Sequence, residues 1–332
     1  GATNLVTGIA TAYMDSIPMV AITANVPNAQ IGSDSFQEVY ITGITMPITK
    51  HNFVVRRVED LADTIRQAFS IANSGRPGPV LVDIPKDVTA ASCEFLPAPA
   101  PAAPERPAEI DPAVIAEVAA LINAAERPVI HFGGGVIGSG ASPLIYELAH
   151  RASIPACHTI MGTGVLSYND PLNMGMVGMH GNISAGLAIN GADLLLVIGA
   201  RFSDRVTGRV TEFAPNAKIV HIDIDPAEIG KIRDADVPIV GDLKGIIAGM
   251  LEVLEKDGAT PRDDQWIADI DAWRARYPFY HPNMAENEES DEIVPELVIA
   301  ELGRQLDPAA SIVTTEVGQH QMRAHQFLPR EF

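Results

Sequence analysis

The sequence predicts an α/β protein built on parallel β-sheets, because mostly apolar strands alternate along the chain with amphipathic helices. Residues 59–73, for example, carry Leu61, Ile65 and Phe69 at helical spacing. Strands buried on both faces and separated by helices are typical of a parallel sheet with crossover helices. The runs that predict buried strands are 19–23, 79–84, 128–132, 194–199 and 218–225.

The other elements are predicted in chain order from the same patterns. Asp111 and Pro112 mark a helix start, with Asp as N-cap and Pro in the first turn. Residues 133–140 are rich in glycine and predict a turn between a strand and a helix. Helices are predicted at 4–15, 59–73, 111–125, 143–152, 243–254 and 293–306, and one more strand at 311–315.

The length of 332 residues suits two or three domains. Residues 93–109 are dominated by Ala and Pro, which favours an extended linker. Residues 256–292 are acidic and aromatic and predict a surface connector with some helix. The predicted α/β segments are therefore 1–92, 110–255 and 293–332.

Composition excludes several classes of function. A net charge of −19 repels phosphate backbones, so nucleic acid is not an expected partner. No apolar run approaches the ~18 residues that span a bilayer, and no signal peptide is visible. Cys93 and Cys157 are far apart and lack a CxxC pattern, so we expect a cytoplasmic protein without disulfides.

Ligands of parallel sheets bind where strands end, so the residues that follow each strand are candidates. Gly133, Gly135 and Gly138 fit a dinucleotide fingerprint, although a tight turn without a ligand accounts for them equally well. Arg201, Asp204 and Arg205 suit a diphosphate or ribitol, with a solvated loop and a local ion pair as the alternative.

Further candidates have an acidic or polar side chain beside a strand end or turn. Asp223 could hold ribose hydroxyls, with helix capping by Asp225 ahead of Pro226 as an alternative that could hold at the same time. Asp242 is a shorter version of the same arrangement. The spacing contains no Ser-His-Asp order, zinc pattern or Walker loop. Spacing alone therefore indicates a multi-domain α/β protein that binds a dinucleotide-like ligand. The remaining candidates are Phe36, Gln37, Arg76, Lys86, His180, Gln319 and His320, each with a purely structural role as the alternative.

Eight sequence strings, taken together and in order, resemble the catalytic large subunits of the acetolactate synthase family, which use thiamine diphosphate. The resemblance covers essentially the whole chain. Ser203 and Arg323 depart from the family, which often has Asp and usually has Trp at these positions. The strings are GATNLVTGIA (1–10), IGSDSFQE (31–38), TKHN (49–52), SGRPGPVLVDIPKD (74–87), GMHG (178–181), GARFSDRVTG (199–208), HIDIDPAEIG (221–230) and VGQHQM (317–322).

The resemblance implies three-layer parallel-sheet domains of the thiamine diphosphate enzyme type. Residues 1–92 would be the later part of a pyrimidine-binding domain, 110–255 a central Rossmann-like FAD-binding domain, and 293–332 the start of a diphosphate-binding domain.

The same resemblance implies roles for individual residues. Gln37, with Phe36 beside it, would lie at thiamine and substrate, and Lys86 at the mouth of the substrate channel. Gln319 and His320 would also meet thiamine diphosphate, and Asp204 and Arg205 would line the channel. The residues matching FAD contacts are Arg76, Gly134, Thr159, Ile160, Val177, Gly178, Met179, His180, Gly199, Ala200, Arg201, Phe202, Ser203, Asp223, Ile224, Asp242 and Leu243.

The implied activity is decarboxylation of pyruvate and its ligation to a second 2-oxo acid, pyruvate or 2-oxobutanoate. This is the first common step of branched-chain amino-acid biosynthesis. The implied cofactors are thiamine diphosphate, Mg²⁺ and a mainly structural FAD. The implied assembly is a homodimer or homotetramer with a possible regulatory small subunit, in the cytoplasm or, in a plant, the plastid.

The resemblance also implies that the chain is truncated at both ends. The family's activating Glu would lie before Gly1, and its Gly-Asp-Gly…Asn motif, which binds Mg²⁺, would lie after Phe332. We therefore expect no metal site in this chain and little or no activity from it alone.

Three other functions fit part of the sequence. A non-catalytic flavin- or nucleotide-binding module would need only the central segment. A nicotinamide-dependent dehydrogenase fits the glycines at 133–138, but no catalytic acid–base pair accompanies them. Another thiamine-dependent oxidase or decarboxylase would share the architecture.

Overall fold

A computed structural model describes residues 1–94, 97, 110–259, 264–278, 293–307 and 310–328. The chain divides into two compact units, Gly1–Glu105 and Arg106–Phe332, and both are α/β with parallel sheets, which confirms the predicted fold class. Most of the predicted linker at 93–109, and residues 260–263 and 279–292 of the predicted connector, lie outside the described residues.

The first unit contains a three-stranded parallel sheet in the order β1–β3–β2. Ile9, Ile41 and Leu81 pack together in one of its hydrophobic clusters, whereas Val80 and Val82 belong to another. The elements are α1 (Val6–Met14), β1 (Met19–Asn25), α2 (Ile41–Thr45), β2 (His51–Val54), α3 (Leu61–Asn73), β3 (Pro79–Pro85) and α4 (Lys86–Ala90).

A buried carboxylate joins the two longer strands of this sheet. Asp83 in β3 is buried and accepts hydrogen bonds from Thr23 Oγ1 at 2.7 Å and Asn25 Nδ2 at 2.6 Å, both in β1. Hydrogen bonding offsets the cost of burying a polar group. This explains how an Asp is accommodated in a strand that is buried throughout.

The second unit contains a six-stranded parallel sheet in the order β6–β5–β4–β7–β8–β9. Counted from β4, this is the order 3-2-1-4-5-6 of doubly wound nucleotide-binding folds. The elements are α5 (Pro112–Ala124), β4 (Pro128–Phe132), α6 (Gly134–Gly138), α7 (Ser142–Arg151), β5 (Ala156–His158), β6 (Asn173–Met176), α8 (Ile183–Gly191), β7 (Leu194–Ile198), α9 (Asp204–Thr207), β8 (Lys218–Asp223), β9 (Val237–Val240), α10 (Leu243–Asp257), α11 (Asp264–Arg276), α12 (Pro295–Gln305) and α13 (Gln319–Phe327).

Two hydrophobic clusters pack around this sheet, one containing residues of α5, α7 and α10 and the other containing residues of α8 and α11. Trp266 and Ile270 of α11 are almost fully buried in the second cluster. This part of the predicted surface connector is therefore core. Its apolar side chains are few, so their spacing did not distinguish a packed helix from a solvated one.

Several local predictions can be compared with the structure. Asp111 caps α5 as predicted, since its side chain accepts from the Ala113 amide at 2.9 Å. The strand predicted at 311–315 is wrong: these residues have no strand partner in the part of the chain that is described, and Ile312 is 93% exposed. An apolar run forms a strand only where a neighbouring strand satisfies its backbone. None of the described helices is long and apolar enough to cross a membrane.

Two buried histidines lie in one row of the six-stranded sheet. His131 in β4 pairs in register with Val197 in β7, which pairs with His221 in β8. Neither ring nitrogen of His131 has a hydrogen-bond partner among the described residues. Burial lowers the pKa of His131 to about 3, with a smaller contribution from the nearby His158. His131 is therefore neutral in the folded protein at any pH near neutrality.

We expect the free energy of unfolding of the second unit to fall less steeply with decreasing pH in His131→Phe than in wild type. The unfolded chain takes up a proton at His131 below a pH of about 6.5, whereas the folded chain does so only near 3. Because of this histidine, the free energy of unfolding falls by about 1.4 kcal/mol for each unit by which the pH is lowered between these two values. The measurement is urea unfolding from pH 7 to pH 4, followed by tryptophan fluorescence, since both tryptophans, Trp266 and Trp273, lie in this unit.

Ile130→Val, at the neighbouring buried position of β4, serves as the control: it alters the core without changing a titrating group and should keep the wild-type slope of unfolding free energy against pH. Equal slopes for His131→Phe and wild type would contradict the lowered pKa of His131 in the folded chain.

Candidate functional site

The residues predicted to contact FAD in the second unit all follow strands of its six-stranded sheet. Because the strands are parallel, their carboxyl ends lie along one edge, which we call the carboxyl edge. Each of the six strands contributes to it. The contributions are Gly134 after β4, Thr159 and Ile160 after β5, 177–180 after β6, 199–203 after β7, Asp223 and Ile224 at the end of β8, and Asp242 and Leu243 after β9.

Backbone hydrogen bonds continue between the turns beyond the strand ends. The amides of Gly133 and Gly199 donate to Ile198 O at 3.1 Å and Ile222 O at 2.9 Å. The amides of Thr159 and Val177 donate to Phe132 O at 2.9 Å and His158 O at 3.0 Å. The turns at the carboxyl edge are therefore fixed relative to one another by the sheet itself.

The glycine fingerprint allows two turns to touch. A Cβ on Gly135 would lie 2.8 Å from Gly199 Cα, and a Cβ on Gly133 would lie 2.6 Å from Gly199 O. The Gly135 amide also donates to Gly199 O at 3.1 Å. The structure thus favours the tight-turn interpretation for Gly133 and Gly135, while Gly138 has open space around it.

The loop 199–203 alternates between core and solvent. Ala200 and Phe202 are each 2% exposed and belong to the core, whereas Arg201 is half-buried and Ser203 is exposed. Only the side chains of Arg201 and Ser203 are therefore available to a ligand. Val177 and Leu243 are likewise core side chains, and only their backbone could meet a ligand.

The pair predicted to line a channel is solvent-exposed in this chain. Arg205 Nη1 lies 3.3 Å from Asp204 Oδ2, and both side chains are at least 70% exposed. The carbonyl of Arg205 accepts from the Met179 amide at 2.8 Å. A Cβ on Gly178, whose φ is +117°, would lie 2.2 Å from the same carbonyl oxygen, so only glycine fits there.

The acidic candidates all bind nearby backbone amides. Asp223 is buried, and its Oδ1 accepts from the Asp225 amide at 2.9 Å. Asp225 in turn accepts from the Ala227 amide at 3.0 Å. Asp242 caps α10 through the amides of Lys244 and Gly245. The capping alternative is therefore confirmed for Asp242, whereas the helix cap at Asp225 is wrong, because residues 226–230 form a turn and Asp225 binds an amide within it.

The carboxyl edge also exposes apolar side chains. Exposed apolar surface near convergent polar groups is typical of a site for a ligand with a flat apolar ring. Arg201 provides a cation at the same edge. These residues therefore fit a flavin nucleotide, with rings against the apolar side chains and phosphates near the cation. The exposed apolar residues that follow strand ends are Ile137, Met161, Met179, Ile183 and Ile224.

In the first unit, Phe36 and Gln37 lie in a loop after β1 that is closed by hydrogen bonds between its own residues. Glu38 accepts from the amides of Gly32 and Ser35, and these hydrogen bonds lower the pKa of its carboxyl group. Gln37 has a φ of +65°, a strained conformation for a residue other than glycine. Phe36 is 89% exposed and Gln37 is exposed as well. The loop therefore presents both side chains outwards in a defined backbone geometry.

Lys86 lies at the same end of this sheet as the Gln37 loop. It is the exposed first residue of α4, directly after β3. The next residue, Asp87, accepts from the Asn28 amide at 3.1 Å and so links the turn after β3 to the segment after β1. Arg76 precedes β3 and its Nε donates to Ser16 Oγ at 2.9 Å, so it lies at the opposite end of the strands.

Gln319 and His320 are exposed at the start of α13. This helix packs on α12 through an ion pair between Arg323 and Glu296. Its later part meets the turns after β5 and β6, where His325 Nδ1 lies 3.1 Å from Thr163 Oγ1. Gln326 donates to His180 O at 2.6 Å. The sequence did not single out His325, Gln326 or Thr163, because no spacing rule relates residues so far apart.

No cluster of three or more His, Cys, Asp or Glu side chains arranged to hold a metal occurs among the described residues. Cys93 and Cys157 are both free, and burial raises the pKa of the Cys157 thiol. Cys157 is therefore a protonated core residue rather than a nucleophile.

We expect Gly135→Ala to destabilise the second unit by roughly 2 kcal/mol or more, because its Cβ meets backbone that cannot rotate away. Gly138→Ala is the matched control in the same helix; it has open space and should change stability by less than about 1 kcal/mol. Chemical unfolding of the two variants compares these values. Equal stability of both variants would contradict the close contact between the two turns.

Two family models match parts of the chain. Residues 1–44 match the family described as "Thiamine pyrophosphate enzyme, N-terminal TPP binding domain". Residues 115–250 match the family described as "Thiamine pyrophosphate enzyme, central domain". The second match contains most of the carboxyl edge.

Curated relatives are similar over nearly the whole chain. The acetolactate synthase large subunit of Parasynechococcus marenigrum is 50% identical over 332 residues, which cover 99% of this chain and 53% of the relative. The acetolactate synthase of Mycobacterium bovis is 47% identical over 100% of this chain and 53% of the relative. The acetolactate synthase isozyme 1 large subunit of Escherichia coli is 45% identical over 99% of this chain and 56% of the relative. The chain spans about half the length of the curated relatives it matches.

Proposed function

We propose that the chain belongs to the thiamine pyrophosphate enzyme family and is part of the catalytic subunit of an acetolactate synthase. The observation that carries this proposal is the 45–50% identity, over 99% or more of the chain, to relatives that bear this name. Such an enzyme decarboxylates pyruvate and joins the remaining two-carbon unit to a second 2-oxo acid, pyruvate or 2-oxobutanoate.

In this proposal the first unit supplies residues around the reacting groups. Gln37 contributes a side-chain amide and Phe36 an apolar wall beside the bound thiamine diphosphate, which when bound supplies the nucleophilic carbon of the reaction. Lys86 contributes a positive charge that attracts the carboxylate of an incoming 2-oxo acid. The loop supports this role, since hydrogen bonds between its own residues accompany the outward placement of Phe36 and Gln37.

The carboxyl edge of the second unit is the proposed FAD site. Arg201 would lie near the phosphates, Asp223 near ribityl or ribose hydroxyls, and the exposed apolar side chains against the flat rings. The doubly wound strand order supports this placement, because ligands of such sheets bind at the carboxyl ends of strands.

The division of the whole protein is proposed accordingly. Residues 1–92 belong to a pyrimidine-binding domain, 110–255 to the FAD-binding domain and 293–332 to a diphosphate-binding domain, in which Gln319 and His320 contact thiamine diphosphate. The words "large subunit" in the names of relatives support a partner small subunit, and we propose a homo-oligomer of the catalytic subunit.

The doubly wound second unit also favours a second candidate, a flavin-binding module without catalysis. The two functions differ in their requirement for Gln37, which only a thiamine-dependent reaction would need.

We expect Gln37→Ala, made in the enzyme that contains this chain, to lower kcat for acetolactate formation from pyruvate by tenfold or more. Loss of one positioned amide from a reacting centre has about this effect. Gln67→Ala on the exposed face of α3 is the matched control and should retain wild-type kcat. Release of carbon dioxide and formation of acetolactate are measured together. If the wild-type protein formed no acetolactate, the proposed activity would be contradicted, and the flavin-binding module without catalysis would be the remaining candidate.

We expect Arg201→Ala to weaken FAD binding by roughly tenfold, because it removes the half-buried cation of the carboxyl edge. Quenching of flavin fluorescence on binding gives the dissociation constant. Arg209→Ala is the control: Arg209 is exposed and paired with Glu212 at 2.9 Å. An equal loss in both variants would indicate a general effect of net charge and contradict a specific site.

A further inference from the structure

A buried histidine lies directly beneath the loop 199–203. His221 in β8 is fully buried, and its Nε2 lies 3.1 Å from Ala200 O. On another side its ring meets the Phe202 ring edge-on, with centroids 5.2 Å apart. One side chain therefore contacts both inward-facing residues of the loop.

The chemistry of this contact fixes the hydrogen-bonding roles. A carbonyl oxygen only accepts, so Nε2 must carry the proton and donate to Ala200 O. Nδ1 has no hydrogen-bond partner among the described residues. Burial lowers the pKa of His221, which keeps the ring neutral near pH 7, and the nearby Glu228 carboxylate offsets this in part. A polar side chain is thus buried in the sheet with one hydrogen bond, and that bond goes to this loop.

We propose that His221 is a positioning residue for the flavin nucleotide: by holding Ala200 and Phe202 inwards, it turns Arg201 and Ser203 outwards to the ligand. This inference rests on the proposed FAD site. Inward residues alternate with outward ones along 200–203, so moving Ala200 and Phe202 displaces the two side chains available to the ligand. His221 itself lies beneath the loop and has no exposed surface with which to touch a ligand.

Three substitutions separate positioning from general damage to the core. His221→Phe keeps a ring against Phe202 but leaves Ala200 O without its donor. His221→Gln keeps an N–H donor of similar reach. His131→Phe is the matched control, because His131 is equally buried in the same row of the sheet and makes no hydrogen bond to the loop.

The experiment measures FAD binding to the full 332-residue chain by quenching of flavin fluorescence. We expect His221→Phe to raise the dissociation constant about tenfold, His221→Gln to recover it to within about threefold of wild type, and His131→Phe to leave it unchanged. Hydrogen exchange is the second readout. The amides of Val206 and Thr207, which donate to Ser203 O, should exchange faster in His221→Phe than in His131→Phe.

Two results would overturn the proposal: wild-type affinity in folded His221→Phe, or an equal loss of affinity in His221→Phe and His131→Phe. If His221→Phe does not fold, His221→Met replaces it, and equal FAD affinity of His221→Met and His221→Gln overturns the proposal. Failure of the wild-type chain to bind FAD is a different outcome, since it contradicts the flavin site itself and with it this inference.

Discussion

The contact between two backbone turns is the constraint on which the second unit depends. The turn after β4 and the turn after β7 approach until Gly135 and Gly199 touch, with no room for a side chain between them. β4 and β7 are the neighbours at which the strand order reverses direction. Their contact therefore fixes these two turns relative to each other. Backbone hydrogen bonds beyond the strand ends connect the neighbouring turns along the carboxyl edge in the same way.

Within strings that look uniform in sequence, side chains packed in the protein alternate with side chains exposed to solvent. In the string 199–208, Gly199 makes the turn contact, Ala200 and Phe202 belong to the core, and Arg201 and Ser203 face outwards. The string 49–52 is similar: Thr49 and Asn52 hydrogen-bond to each other and to Thr45 at the end of a helix. Side chains that serve the scaffold thus lie next to the few that a ligand can reach.

The sequence predicted the parallel α/β class and the long buried strands, because short continuous apolar runs between helices are typical of strands buried on both faces. It missed β2, β5, β6 and β9, which are only three or four residues long. It also placed a strand at 311–315, where no neighbouring strand is described. The candidates after β4, β7 and β8 followed from the rule that ligands of parallel sheets bind at strand ends. Thr159, Ile160 and Val177, which follow the missed strands β5 and β6, were singled out by the resemblance alone. The side-chain orientations followed from neither, because alternation between core and solvent in a loop has no period that a sequence reveals.

Buried polar side chains occur within the parallel sheets of both units. Asp83 in the first unit and His221 in the second both lie inside sheets, where an unpaired polar group costs free energy. Asp83 offsets this cost with two hydrogen bonds to the neighbouring strand, so its effect is on the sheet. His221 directs its only hydrogen bond, of those described, to a loop beyond the sheet. A side chain that hydrogen-bonds from the sheet to a loop fixes the position of that loop relative to the sheet. A binding edge that is formed before the ligand arrives requires loops held in this way.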